Sequence, residues 1–390
     1  MKINVGVLYG GNSTEHEISV ISAVQAMNNI DKEKYNIIPI YLAKDSTMFT
    51  GEELRKMEIY KDLKKLQNKV TEVNLTKKNG EFVLLKTKFP FSIVSKIDIA
   101  FPIMHGYNTE DGAIAGLLEV LGIPFCESDI YASVIGQDKV FQKQVLIANG
   151  VNVVDYTYFY ESEYKADSEK VLKEVAKLKF PLIVKPARQG SSVGIKVAKT
   201  KKELSEAIED AINYDEKILV EKVVENLKEL NCSVVGDNFL YETSLIEEVY
   251  GEDEILSFKD KYMSDSSSKR GPSKGMASTG RKVPADITKK CEKQIEEMSI
   301  KACRALNTSG VVRIDYLMDT KTGEVYLNEL NVIPGSLAFY LWAPKGVEYK
   351  DLLNRIIECG IKKYQNKSKK LSSFESNVLA NFNGSKGVKK

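Results

Sequence analysis

The stretch Phe180 to Val197, FPLIVKPARQGSSVGIKV, constrains the chain more than any other. Two apolar runs flank a Gly-Ser-Ser turn, and no helical periodicity follows it. The pattern predicts a strand, a glycine turn and a second strand. That arrangement excludes the G-x-x-x-x-G-K-[ST] phosphate loop, which needs a helix directly after its glycines. A hairpin turn of this kind can still act as a lid, whose backbone N–H groups meet phosphate oxygens and keep water from a reactive phosphorylated intermediate.

Upstream, strands and helices alternate. INVGVLY is a β-rich run that ends at Gly10-Gly11 and leads into STEHEISVISAVQAMNN, whose apolar residues recur at helical spacing. YNIIPIYLA and KIDIAFPIMH are further buried strands, and DGAIAGLLEVLG separates the second from IPFCES. This alternation predicts a doubly wound parallel sheet over residues 1–127. The lysine-rich residues 50–88 read as a solvated surface insertion. SVIGQDKVFQKQVLIANG reads as one amphipathic helix closed by Gly150. Residues 128–221 form a small α+β unit with the glycine hairpin, the helix KKELSEAIEDAINY and the strand KILVEKVV. Residues 222–365 form another, with the helix ITKKCEKQIEEMSIKACRALN and a second hairpin, VVRIDYLMDTKTGEVYLNELNV. Residues 366–390 read as a polar tail.

A chain of 390 residues with 43% hydrophobic and 28% charged residues and a formal net charge of +2 is ordinary for soluble globular domains, and points to neither nucleic acid nor a membrane as partner. The five cysteines (Cys126, Cys232, Cys291, Cys303, Cys359) are scattered without paired spacing, which argues against a disulfide framework or zinc site and for a reducing cytoplasm. MKINVGVLYGG reads as a first strand rather than a signal peptide.

Residues two apart in a strand share a face. In VVRIDYLM one face carries Val312, Ile314, Tyr316 and Met318, and the other presents Arg313 and Asp315. After the turn, VYLNELN places Glu329 and Asn331 on one face. Pairing in register brings Arg313, Asp315, Glu329 and Asn331 onto one polar surface. Taken singly these are ordinary solvent-facing strand residues. As a set, two carboxylates and an amide oxygen are hard ligands suited to Mg²⁺ or Mn²⁺ with substrate phosphates completing the shell. At the N-terminus, Thr14 and Glu17 match a capping box, which explains Glu17 structurally. Glu15 has no such explanation; it falls in the first helical turn beside a glycine turn where a ligand can approach.

LYGGNSTEHEIS, FPIMHGYNTEDGAIAGLLEVLGIPF, QDKV, VKPARQGSSVGI, LVEKVVENLKELNCSVVG, DKY, RIDY and LNELNVIPG occur in order and at the approximate spacing found in one family. From residue 3 to about residue 360 the chain resembles the D-alanine-D-alanine ligases of the ATP-grasp superfamily. The resemblance implies an ATP-grasp fold of α/β and α+β domains behind an N-terminal doubly wound domain, with the glycine hairpin as the lid over the triphosphate. It implies that ATP phosphorylates the carboxylate of one D-alanine and that the amine of a second attacks the acyl phosphate, supplying dipeptide for peptidoglycan precursors.

By motif match, the resemblance assigns Lys139 and Lys185, with Ser191 and Ser192 of the lid, to the ATP phosphates, and Glu221 and Glu229 to the adenine and ribose. It makes Asp315, Glu329 and Asn331 the magnesium ligands, and Arg313 and the Gly335 N–H the oxyanion donors. Glu15 would hold the first substrate's ammonium, with His105 beside it and Ser191 and Tyr262 as hydrogen-bonding partners. Tyr262 favours a dipeptide over a D-lactate ester. Homodimers are common in the family, so a homodimer is expected.

The match departs after NVIPG, where the family continues with small hydroxyl residues and this chain reads SLAFYLW. Ser336 retains a hydroxyl, but Tyr340 stands where a serine for the second substrate's carboxylate is expected, and its ring would reshape the acceptor pocket. The basic stretch 263–282 is longer than the usual cover loop. The leading reading is a D-alanine-D-alanine ligase. A ligase with a different acceptor, or a silent nucleotide-binding paralogue, remain the alternatives.

Overall fold

The computed structural model describes residues 2–250 and 280–371. Tyr262, most of the basic stretch 263–282 and the end of the polar tail lie outside the described residues.

The chain forms three sheets. The first contains β1 (Ile3–Gly10), β2 (Tyr35–Leu42), β3 (Met48–Thr50), β4 (Thr71–Lys78), β5 (Glu81–Lys86), β6 (Ile93–Ile97) and β7 (Ile99–Ile103), in the order β6-β5-β4-β3-β2-β1-β7. β1 runs parallel to β2 and to β7, as the alternation predicts. From β2 outward to β6 every pairing is antiparallel. The lysine-rich segment is therefore not a surface insertion. It extends the sheet and buries Val73, Val83 and Leu84 completely. In TEVNLTKK, Val73 and Leu75 alternate inward while the lysines stay in water, so the lysine count hides a strand pattern.

The second sheet contains β8 (Tyr156–Tyr160), β9 (Leu182–Pro186), β10 (Lys196–Ala198) and β11 (Lys217–Lys222), ordered β10-β9-β11-β8. β9 and β10 are the expected antiparallel arms of the glycine hairpin. Helix Lys201–Ala211, capped by the Thr200 side chain, packs on both.

The third sheet contains β12 (Leu227–Asp237), β13 (Leu240–Tyr250), β14 (Gly280–Lys282), β15 (Gly310–Asp319) and β16 (Val325–Asn331), ordered β14-β13-β12-β15-β16 and antiparallel throughout. Helix Lys289–Leu306 starts where Thr288 Oγ1 accepts from Cys291 N at 3.2 Å and stops at left-handed Asn307, φ 55°. With helix Tyr349–Ser368 it packs on one face of this sheet. That face carries Val312, Ile314 and Tyr316, all at most 1% exposed. Val312 and Ile314 each contribute about 1.5–3 kcal/mol of burial, which with the buried Tyr316 ring fixes the register and turns Arg313 and Asp315 to the other face. Helix Tyr349–Ser368 also runs into the segment expected to be tail.

Two local expectations fail. The single helix expected over SVIGQDKVFQKQVLIANG is two, Ile130–Gln137 and Lys139–Ala148. Between them Asp138 is extended, φ −87° and ψ 104°, and its Oδ1 accepts from Val140 N at 2.9 Å and Phe141 N at 3.1 Å. An aspartate inside an apolar period is a cap for a new helix. The break makes Lys139 the first residue of the second helix. The capping box of Thr14 and Glu17 does not form either. Helix His16–Asn29 begins two residues after Thr14, with Glu15 at its N-cap and no side-chain cap. Ser13 Oγ holds the turn instead, donating to His105 O at 2.7 Å and accepting from Glu15 N at 3.1 Å.

No helix among the described residues is long and apolar enough to cross a membrane.

Candidate active site

A cavity of about 620 Å³ is walled by strands of the second and third sheets and, from the N-terminal unit, by the start of helix His16–Asn29 and the loop after β7. Its floor is the polar face of the third sheet. Asp315 is the cross-strand partner of Glu329, and Arg313 of Asn331. The same level continues through Asn231 on β12 to Glu247 on β13. Glu247, Asn231, Asp315 and Glu329 thus form one row across four strands, side chains to one face. Arg313 grips Asp315 bidentately, Nε to Oδ1 at 2.7 Å and Nη2 to Oδ2 at 2.9 Å. Asn231 Nδ2 donates to Glu247 Oε2 at 3.0 Å, and Arg281 Nη1 lies 3.2 Å from Glu247 Oε1.

The cations come from the other units. Lys139 Nζ lies 3.0 Å from Glu329 Oε1 and donates to Gln189 O at 2.6 Å. Lys185 Nζ lies 2.5 Å from Glu221 Oε2 and donates to Asn328 Oδ1 at 3.0 Å. Asn328 reaches it because a bulge between Asp315 and Tyr316 pairs Tyr316 with Leu327 and leaves Asn328 out of the ladder. Lys143 Nζ lies 2.5 Å from Glu221 Oε1, and both side chains are 1% exposed. Burial pushes the Glu221 carboxyl up, but Lys143 and Lys185 outweigh burial and hold it at about 2. Glu229 and Ser192 also line the cavity.

At the opposite wall Ser191 Oγ donates to Glu15 Oε1. Close packing selects glycine there. A Cβ on Gly106 would lie 2.7 Å from Glu15 Oε2, as would one on Gly190. His105 is buried, with Nδ1 2.9 Å from Ile333 O and Nε2 3.0 Å from Ser22 Oγ. Burial lowers its pKa to about 4, so the ring is neutral near pH 7. The Ile333 carbonyl only accepts, which puts the proton on Nδ1. Ser22 then donates to Nε2 and accepts from Ser336 N at 2.9 Å.

Of the residues singled out in the sequence, Glu15, His105, Lys139, Lys185, Ser191, Ser192, Glu221, Glu229, Arg313, Asp315, Glu329, Asn331 and Gly335 line this one cavity. Ser336 and Tyr340 are not among its walls. Ser336 Oγ is spent on Gln25 Oε1 at 2.8 Å. The Tyr340 hydroxyl is buried without a hydrogen-bond partner among the described residues, and its ring lies 4.8 Å below the Arg281 guanidinium.

Several wall residues escaped the sequence reading. Glu110 accepts from Gly106 N at 3.1 Å and Ile333 N at 3.0 Å, joining the loops that carry His105 and Gly335. Burial, then the charges of Glu15 and Glu329, push its carboxyl up to about 8. Asn231 was missed as well, and so was Glu247, which is buried behind the wall and holds Asn231 and Arg281. Polar residues at alternate positions of LKELNCS, namely Glu229, Asn231 and Ser233, were the available signal.

The described residues hold no group of three or more His, Cys, Asp and Glu placed to bind a metal. Asp315 and Glu329 with the Asn331 amide are a thinner set, of hard oxygen donors, which fits a small divalent cation that takes much of its shell from phosphate and water.

Residues 4–128 match the family described as D-ala D-ala ligase N-terminus, and residues 145–358 the one described as D-ala D-ala ligase C-terminus. The chain is 35% identical over 378 residues to a D-alanine–D-alanine ligase of Thermosipho melanesiensis, covering 97% of this chain and 98% of the relative. The solved D-alanine-D-alanine ligase of Coxiella burnetii superposes with a TM-score of 0.78 at 26% identity, covering 94% of this chain and 96% of the other. The VanG D-Ala:D-Ser ligase of Enterococcus faecalis superposes at 0.76 with 27% identity, covering 92% and 100%.

Proposed function

The chain belongs to the D-alanine-D-alanine ligase family, and from that premise we propose how its own residues divide the work. As a member it is an ATP-dependent ligase that joins D-alanine to D-alanine in peptidoglycan precursor synthesis.

In our reading the Glu15 carboxylate, oriented by Ser191, holds the ammonium of the first D-alanine, so that its carboxylate points at the γ-phosphoryl group. Lys139 and Lys185 lie against the phosphates, and Ser191 and Ser192 close the lid over them. Glu221 and Glu229 face the nucleoside. Asp315, Glu329 and Asn331 would hold Mg²⁺ or Mn²⁺, which when bound neutralises charge on the phosphoryl oxygens. Transfer leaves an acyl phosphate. The amine of the second D-alanine then attacks the acyl carbon, a C–N bond forms, and the amine loses its proton. Arg313 and the Gly335 N–H stabilise the tetrahedral oxyanion until the C–O bond to phosphate breaks. Neutral His105 fixes Ile333 and, through Ser22, Ser336, on either side of Gly335.

We divide the chain into an N-terminal domain to residue 127, a lid domain to 221, a C-terminal domain to the end of helix Tyr349–Ser368 and a tail. We expect a homodimer in the cytoplasm.

One observation carries this reading: Asp315 and Glu329, direct cross-strand partners, face the same cavity as the Glu15–Ser191 pair. The test is phosphate release from ATP with Mg²⁺ while amino acids are supplied singly and in pairs. D-Alanine alone should suffice. Glu329→Gln should cut release by about 10³-fold or more, with an unchanged circular dichroism spectrum; retained activity would refute the metal assignment.

A second reading keeps the D-alanine donor and changes the acceptor. It is favoured by Tyr340 and Arg281 and by the likeness to a D-Ala:D-Ser ligase. Release that requires a second amino acid would establish it.

A further inference from the structure

An acceptor amino acid brings a carboxylate as well as an amine, and the cavity must meet that charge with a donor. The Tyr340 hydroxyl is buried with no hydrogen-bond partner among the described residues, and Tyr340 is not among the cavity's walls. Arg313 is engaged bidentately with Asp315 beside the reacting centre. A second guanidinium lines the cavity, that of Arg281.

Arg281 sits on the edge strand β14, opposite Val249 of β13. An arginine at an edge would ordinarily turn to water. Here it leans inward to Glu247, whose side chain is fully buried. Burial pushes the Glu247 carboxyl up while Arg281 and Asn231 pull it back. Glu247 is also the end of the polar row that runs through Asn231 and Asp315 to Glu329. Two carboxylates of the row are thus held by arginines, the interior Asp315 by Arg313 and the terminal Glu247 by Arg281. Beneath Arg281 the Tyr340 ring gives the flat guanidinium a face to rest on. A buried acid on one edge and an aromatic ring below hold the cation in one orientation. A guanidinium so held suits a planar anion that takes two hydrogen bonds at once, which is a carboxylate.

We propose that Arg281, oriented by Glu247 and seated on Tyr340, binds the α-carboxylate of the acceptor amino acid. The inference rests on the ligase reading above and assigns its second substrate's anchor. Arg281 is the binding residue and Glu247 a positioning residue. The chemical class follows: the acceptor must carry a free carboxylate, and an acceptor with a neutral amide in its place forfeits the contact.

The test is a competition. Wild-type enzyme with ATP and Mg²⁺ is given mixtures of D-alanine and D-alaninamide, and the ratio of D-alanyl-D-alanine to D-alanyl-D-alaninamide is read by mass spectrometry. The ratio reports acceptor choice alone, because both products share the donor and the acyl phosphate. In Arg281→Ala the preference for the carboxylate should fall by about 10²-fold, the size of a lost charge-assisted bidentate contact. Arg281→Lys should retain part of it, and Glu247→Gln should lose part of it with the arginine still present. Because the amine of D-alaninamide is equally altered in every reaction, its lower basicity cancels between variants. An unchanged ratio in Arg281→Ala overturns the inference and leaves the ligase reading standing. A wild-type enzyme that makes neither product overturns both.

Discussion

The two ends of the cavity are held in different ways. At the nucleotide end the charged groups stand on strands and the start of one helix, with ordinary backbone and direct ion pairs: Lys139 with Glu329, and Lys143 and Lys185 with Glu221. At the amino-acid end part of the framework is turn. Ser191, Ser192, Ser336, Leu337 and Ala338 all have φ between 50° and 62° without being glycine. The contacts that fix them join distant parts of the chain, Glu15 to Ser191, His105 to Ile333 and Ser22 to Ser336. Left-handed backbone persists only where its surroundings over-determine it. Both ends are fixed by contacts between distant parts of the chain, but only the turn end must also hold its backbone in the left-handed region.

The largest effect should come from breaking the strand end at Glu221. Glu221→Gln keeps the shape but leaves Lys143, 1% exposed, and Lys185, 7% exposed, side by side without their carboxylate. Removing one partner of a buried pair costs about 3–5 kcal/mol. Adding Lys143→Met should recover part of that loss, since it removes one of the stranded charges; urea unfolding of both variants measures it. If the two losses simply add, these groups are not the coupled unit drawn here.

The same division explains what could be read beforehand. Arg313, Asp315, Glu329 and Asn331 were legible because polar residues alternate within two strands joined by a short turn. Asn231 and Glu247 belong to the same row, yet the row exists only through register between strands far apart in sequence, so alternation within RIDY could not announce it. Asn328 depends on a bulge, and Asp138 on an aspartate winning as a cap over the apolar period around it. The lysines of residues 69–88 hid strands β4 and β5 behind composition. At the turn end the motif carried the identity of Glu15 and Ser191, but nothing local encodes that Tyr340 faces away from the cavity or that Arg281 lies on its ring.

A middle-sized effect tests the turn end through Glu110. Its carboxyl is raised from an ordinary value of 4.5 to about 8 in the folded protein. Between those values the folded protein keeps a proton that the unfolded chain has lost, so stability is greatest below about pH 4.5 and falls as pH rises toward 8. The fall is at most about 1.4 kcal/mol per pH unit. Thermal unfolding of the ligand-free protein between pH 6.5 and 7.5, above the range in which the lowered pKa of His105 pulls the other way, should show the decline, and Glu110→Gln should flatten it. A variant with the wild-type slope would mean that the link between Gly106 and Ile333 is carried by a carboxylate that ionises normally.

The smallest effect is the most direct comparison of the two kinds of backbone. Ala338 (φ 51°, ψ 26°) and Ala302, within helix Lys289–Leu306, are both fully buried. Changing either to glycine removes one buried methyl, worth about 0.8 kcal/mol. In the helix, glycine adds a propensity cost of about 1 kcal/mol, so Ala302→Gly should lose about 2 kcal/mol. In the left-handed turn, glycine instead relieves about 1–2 kcal/mol of Cβ clash, so Ala338→Gly should fall within about 1 kcal/mol of the wild type. What keeps Ala338 there is its surroundings. Leu337 is fully buried, Ser336 is bonded to Ser22 and Gln25, and Trp342 donates to Ser233 Oγ at 2.9 Å. Those contacts hold the turn in place with either residue, so the gap between the two unfolding free energies, less the helix cost of glycine of about 1 kcal/mol, measures the strain kept beside Gly335. Equal losses would mean that the turn end rests as easily as the strand end.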